Sequence, residues 1–112
     1  MAVNGNTCYS PGAAVNMTEA SEKHAVRCYS PSADLGFTIC DGGGPSMVTF
    51  AAAKAACANL TENSVSDFRV PMNVTEAGTA CGTGCGVDGW PVWLDMDMMM
   101  PGIEQYRSPI DP

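Results

Sequence analysis

The clearest periodic signal in this chain is TFAAAKAACANL, residues 49–60. It sets Phe50, Ala53, Cys57 and Leu60 at i, i+3, i+7 and i+10 along one face. The spacing predicts a helix over about 49–60, with Thr49, or Ser46 a turn earlier, as N-cap. Its alanines favour the helix and let a neighbour approach closely. On either side the pattern shortens to strand length. Residues 24–30 and 35–40 read as two strands around a turn at Pro31, and Asp41-Gly42-Gly43-Gly44-Pro45 closes the second. Residues 68–74 alternate: Phe68, Val70, Met72 and Val74 face one way, and Arg69, Pro71 and Asn73 the other. That predicts a half-buried strand, with the proline placing it at an edge. Residues 90–96 are apolar on both faces and read as a central strand, reached through a hairpin turn at Asp88-Gly89.

These elements gather around TACGTGCGVDGWPVWL, residues 79–94. Cys81 and Cys85 sit in a glycine-rich turn directly ahead of Trp90 and Trp93. The two indoles are expected to anchor the core together with Phe50, each burying roughly 150–250 Å². The predicted fold is mixed α+β. One main helix packs on a small, mostly antiparallel sheet built from strands near 24–30, 68–74 and 90–96. The organisation predicted is an extended N-terminal arm (1–22), a stapled body (23–96) and an extended C-terminal tail (97–112). Cys8-Tyr9-Ser10-Pro11 in the arm echoes Cys28-Tyr29-Ser30-Pro31 in the body, and Asn16-Met17-Thr18-Glu19-Ala20 echoes Asn73-Val74-Thr75-Glu76-Ala77. The two offsets differ, so the chain is no solenoid.

Composition decides how such a body holds together. Aromatics are only 7% of the 112 residues, while Gly numbers 12 and Pro 8, so the apolar core is small and turns are many. Six cysteines can supply three staples. All six, Cys8, Cys28, Cys40, Cys57, Cys81 and Cys85, are expected in intramolecular disulfides, with 15 pairings open. Cys81 and Cys85 are expected to find different distant partners. Cys57 should meet one of those two, and Cys28 and Cys40 belong to the same body network.

Compartment follows from a second pattern. Asn16, Asn59 and Asn73 each head an Asn-x-Thr acceptor for N-glycosylation. About one such sequon would be expected by chance. Three of them with six cysteines predict a eukaryotic secretory protein in an oxidising space, carrying covalent N-glycans. No run approaches the ~20 apolar residues of a membrane span. Residues 1–6 lack a basic-then-apolar leader, so the chain reads as mature protein or as a fragment of something longer. A net charge of -7 argues against nucleic acid and anionic membrane, which require clustered Lys or Arg.

Candidate chemistry is sparse. Cys81-Gly82-Thr83-Gly84-Cys85 resembles half a zinc site, but His24 is the only histidine and the remaining cysteines are scattered. The runs 42–44 and 82–86 lack the Gly-Lys-Ser/Thr ending of a phosphate loop. Asp95 with Asp97, or Glu19 with Glu22, read as solvated acids, and a domain this small has little room for a catalytic cleft. No enzyme activity, metal or cofactor is expected.

HAVRC (24–28), TFAAAKAAC (49–57), FRVP (68–71) and GTGCGVDGWPVW (82–93) form an ordered set. The set resembles a cysteine-rich domain of secreted and surface proteins of algae and related protists, C-type-lectin-like in the broad sense. The resemblance implies an extracellular setting, a helix-to-late-strand disulfide and a long irregular loop. The chain departs from the pattern at Arg69-Val70-Pro71, where a cysteine would follow Arg-Leu. The calcium-dependent sugar motifs of C-type lectins are missing too, Trp93-Leu94-Asp95 being the nearest string. Function is therefore expected to be structural: an extracellular glycoprotein that assembles head to tail with copies of itself through arm and tail. The alternative is a binding module that recognises a glycan or protein without calcium. Val3, Val15, Met98, Met99, Met100, Ile103, Tyr106 and Ile110 are the apolar flank residues such assembly would use. The tail itself reads as either disordered or laid along a partner.

Overall fold

A computed structural model describes residues 2–5, 8, 15–16 and 19–96. The rest of the arm, including residues 9–14, and the tail at 97–112 lie outside the described residues. In chain order the elements are β1 (Ala2–Gly5), β2 (Val15–Asn16), β3 (Arg27–Ser30), β4 (Leu35–Thr38), β5 (Cys40–Asp41) and β6 (Gly44–Pro45). Then come α1 (Phe50–Ala58), α2 (Val74–Gly78) and β7 (Val92–Asp95). The class is α+β with antiparallel strand pairs, as the pattern predicts.

The helix forms where the apolar stripe places it. Thr49 caps α1 by accepting the Ala52 amide at 3.3 Å, and Ala53 and Cys57 are its buried residues. Phe50 is only partly buried and leans on Trp93, with ring centroids 5.4 Å apart.

The strands divide differently from the expectation. Instead of one sheet holding 24–30, 68–74 and 90–96, the chain builds β2-β1-β7 and two hairpins, β3-β4 and β5-β6. No hairpin forms at Asp88-Gly89. Instead β7 takes β1 as its antiparallel neighbour, Ala2 opposite Asp95 and Gly5 opposite Val92. Residues 2–5 thus belong to a sheet of the body rather than to a free arm. On its other side β7 meets Ala25 in a single parallel bridge at Val92.

All four residues of β7 are buried, as its two-sided apolar pattern requires. Trp93 faces one cluster with Val26, Cys28, Ala53, Cys57, Phe68 and Val70. Val92 and Leu94 face a second with Ala25, Ala77 and Val87. Period-two alternation thus makes β7 the wall between two cores.

The predicted strand at 68–74 survives only as a bridge between Arg69 and Tyr29. Phe68 and Val70 are buried as the alternation requires, but Pro71 is buried too. At Asn73 the chain turns helical. Its side chain accepts the Glu76 amide at 2.8 Å and caps α2. Asn-x-x-Glu is a capping pattern legible in the sequence, and here it prevails over the alternation. The end of α2 packs so closely on β4 that a Cβ at Gly36 would overlap the backbone of Thr79 and Ala80.

Candidate functional site

The most organised polar region is the glycine-rich loop and what it covers. Arg27, on β3, is fully buried. Its Nε donates to Thr38 Oγ1 on the facing strand at 3.0 Å. The Thr38 amide donates to Thr83 Oγ1 at 2.9 Å, the two hydroxyls lie 2.6 Å apart, and Thr83 donates to the Ala80 carbonyl at 2.5 Å. Because the Thr83 proton goes to Ala80, Thr38 must donate to Thr83, so the chain of bonds runs one way from Arg27 to the loop backbone. A second Arg27 nitrogen, Nη2, pairs with Asp88, which also accepts the Gly82 amide at 3.1 Å. Nη1 lies 3.4 Å from Cys8 Sγ and 3.9 Å from Cys81 Sγ. A buried guanidinium thus organises the loop from beneath.

Three disulfides close the structure: Cys8–Cys81, Cys28–Cys57 and Cys40–Cys85. Cys81 and Cys85 do take different distant partners. Cys57 does not meet either of them; it bonds Cys28 on β3, directly beneath α1. The bridge implied by the resemblance, from helix to late strand, is thus a bridge from helix to early strand. Cys8, Cys81 and Asp88 approach one another as a metal triad would. The two sulfurs are bonded to each other and a guanidinium shares the space, so the triad is a cross-link and not a cation site.

Of the expected core anchors, Trp93 is fully buried and Trp90 is 41% exposed. Trp90 precedes β7, in the turn that Asp88 and Gly89 shape, so its indole falls outside the alternation that buries Trp93. Trp93 is fixed by its Nε1, which donates to the Val48 carbonyl at 2.8 Å, and by the edge of the His24 ring at 4.8 Å. His24 also pairs with Glu22, and its backbone bridges Val48. That is a packing and pairing role for the single histidine.

A depression of about 170 Å³ is lined by Lys54, Ala58, Phe68, Arg69, Val70 and Asp95. It is smaller than the ~300 Å³ of an ordinary small-molecule pocket. Its charged rim is engaged already: Lys54 lies 3.9 Å from Asp95, and Arg69 is bidentate to Glu76 at 2.9 and 3.2 Å.

The acids of these networks titrate low. The Arg27 guanidinium, then the Gly82 amide, holds the Asp88 carboxyl below the ordinary range. Burial pushes Glu76 up, but Arg69 and the Met72 amide together outweigh it and the net direction is down. The Ser30 hydroxyl, then Ser32, lowers Asp67. A carboxyl depressed in the folded state stabilises the fold above its unfolded pKa and ceases to do so as pH falls through its folded value. Stability is therefore expected to be level down to about pH 5 and to fall below about pH 4. Urea midpoints measured across that range test it, with Asp88→Asn flattening the acid limb. A midpoint that rises on acidification would contradict the assignment.

Two of the three sequons lie where side chains are described. Asn59 is exposed at the C-terminal end of α1. Asn73 is half-buried and uses its carbonyl oxygen as the α2 cap, which leaves the amide nitrogen, the atom that carries a glycan, outside the cap bond. The side chain of Asn16 lies outside the described residues. In unglycosylated protein, Asn73→Ala is expected to cost about 1 kcal/mol through the lost cap. Thr75→Ala destroys the same sequon, keeps the cap and should be near neutral. Equal losses in urea unfolding would show that the cap contributes nothing.

Comparison of this chain with protein-family models, with curated proteins and with solved structures finds no match.

Proposed function

We propose that the protein is an extracellular structural glycoprotein without enzymatic activity, built to assemble head to tail with copies of itself. The observation that carries this reading is the way the N-terminal segment pairs. Residues 2–5 join β7 as an added strand, and among the described residues β2 lies outside them as the last strand of that sheet. A short segment that adds to a sheet by backbone hydrogen bonds is the element strand-addition assembly uses, and β2 is the edge at which a neighbour would continue it. Three disulfides and three sequons support the secreted setting, and the resemblance to lectin-like surface domains agrees with it. Contacts of this type that do not close into a ring propagate as a fibre. The C-terminal segment, residues 97–112, supplies the second contact.

Electron microscopy of the native, glycosylated protein at increasing concentration tests the reading, with a chain lacking 97–112 as control. Removing residues 1–22 is no clean control, because it would strip Cys8 from Cys81 and β1 from β7. Filaments lost in the control are the expected result; a strictly monomeric full-length protein would overturn it. A second reading, a calcium-independent lectin-like binding module, is favoured by Trp90, whose exposed indole could stack on a sugar ring. Glycan-array binding by the monomer that is lost in Trp90→Ala would establish that alternative.

A further inference from the structure

Ala2, the first residue of β1, lies opposite Asp95, the last of β7, so force entering from the N-terminal side of β1 and the C-terminal side of β7 meets the pair at the same end. A pull applied there opens that pair like a zip, one register pair at a time, and peels β1 from β2 and β7 from Ala25 and Pro71 as it goes. The zip runs from Ala2–Asp95 toward Gly5–Val92 and reaches Cys8 shortly afterwards. Cys8 is bonded to Cys81, 73 residues further on, with their Cα atoms 5.9 Å apart. Beyond that point tension has a shorter route than the backbone. It crosses the disulfide from residue 8 to residue 81 and leaves through the loop and β7.

We infer that Cys8–Cys81 is a tension shunt, which carries pulling force past residues 9–80 so that the backbone between the two cysteines is not drawn out, even where β7 is stripped from the cores it walls. The inference deepens the structural role proposed above and rests on that reading for its use in a fibre, though not for its measurement. Topology alone requires the shunt: with the bond closed, no pull on the ends can straighten the chain between Cys8 and Cys81. The other two bridges stand beside the path. Cys28–Cys57 lies wholly inside the shielded segment, and Cys40–Cys85 joins that segment to the loop as a side branch. They become relevant in order. If Cys8–Cys81 is absent, Cys40–Cys85 becomes the next shortest crossing, so the fold has a second stop behind the first. Arg27 on β3 lies against both sulfurs of the first bridge and pairs with Asp88 in the loop, joining the shunt to the segment it bypasses.

The shunt predicts distinct extensions. With all bridges closed, the taut path between Ala2 and Asp95 comprises about 20 backbone steps, six to Cys8 and 14 from Cys81, or about 70 Å at ~3.6 Å per residue. Full reduction opens the remaining 73 steps and adds about 250 Å, the span of the bridge having been subtracted. In C8S/C81S the 32 steps from residue 8 to 40 replace the four from 81 to 85, a net gain of about 28 steps or about 100 Å. C40S/C85S should match the wild type, since that bridge is off the path. Single-molecule force spectroscopy with peptide-tag handles at both ends of the full chain reads these lengths directly, with and without a phosphine reductant.

The expected result is a release of no more than about 70 Å between those residues without reductant and about 250 Å more with it. A 250 Å release from unreduced wild type, or no change in wild type on reduction, would overturn the shunt. If C8S/C81S does not fold, the wild type with and without reductant and C40S/C85S still decide the matter. The measurement uses single molecules, so a protein that fails to assemble would refute the fibre reading while leaving this result in place.

Discussion

Trp93→Ala is expected to cost about 3–5 kcal/mol of folding stability, a large part of the ~5–15 kcal/mol that a domain typically possesses. Three losses combine. The fully buried indole is the largest side chain of its cluster, so its removal empties space beneath α1 that Phe50 and the edge of His24 only partly border. The transfer energy of the ring is forfeited, and the surrounding strands are held by disulfides that restrict collapse into the gap. The Val48 carbonyl also loses its indole donor and keeps only the His24 amide, so one buried hydrogen bond is forfeited. Trp90→Ala removes the same side chain from a site already 41% exposed and is expected to change stability by about 0.5 kcal/mol or less. Urea denaturation of both variants measures the contrast. Similar losses in the two would mean that the burial assigned to β7 is wrong.

Replacing Cys28 and Cys57 together by alanine should cost about 3–5 kcal/mol. The bridge closes a 29-residue separation, for which the chain-entropy relation gives about 3.6 kcal/mol of constraint on the unfolded chain. Both cysteines are fully buried between β3 and α1, so truncation also removes two core contacts. Neither remaining bridge offers a shorter route between the same positions, so neither compensates. Because much of the effect lies in the unfolded state, the variant's denatured ensemble should be more expanded. Its urea m-value should therefore rise while its stability falls. A loss below about 1 kcal/mol would show that α1 stays docked on β3 without the covalent link.

What the sequence determined by itself was local. The helix at 50–58 follows from a stripe of Phe50, Ala53 and Cys57 and from the Thr49 cap, interactions that span only a few residues. The burial of β7 follows in the same way from a run apolar on both faces, which can be stable only as a wall between two cores. The oxidised state of the six cysteines was legible from their even number beside three sequons, a compartmental rather than a geometric signal.

Tertiary structure decided everything that depended on which segment meets which. The alternation at 68–74 described real burial at Phe68 and Val70. It could not reveal that Arg69 would meet Tyr29 in a lone bridge instead of continuing as a strand, with the local Asn73 cap then starting α2 at Val74. Trp90 and Trp93 are three residues apart and alike in sequence. Only the turn at Asp88-Gly89, bent toward Arg27, turns one outward and the other into the core. The pairing of Cys57 with Cys28 rather than with the loop is a matter of where α1 lies in space. The same is true of β1, whose four residues carry no core pattern of their own. Backbone hydrogen bonds are indifferent to side-chain identity, so a strand that docks by them leaves little trace in the sequence, and only the fold can show the edge it takes.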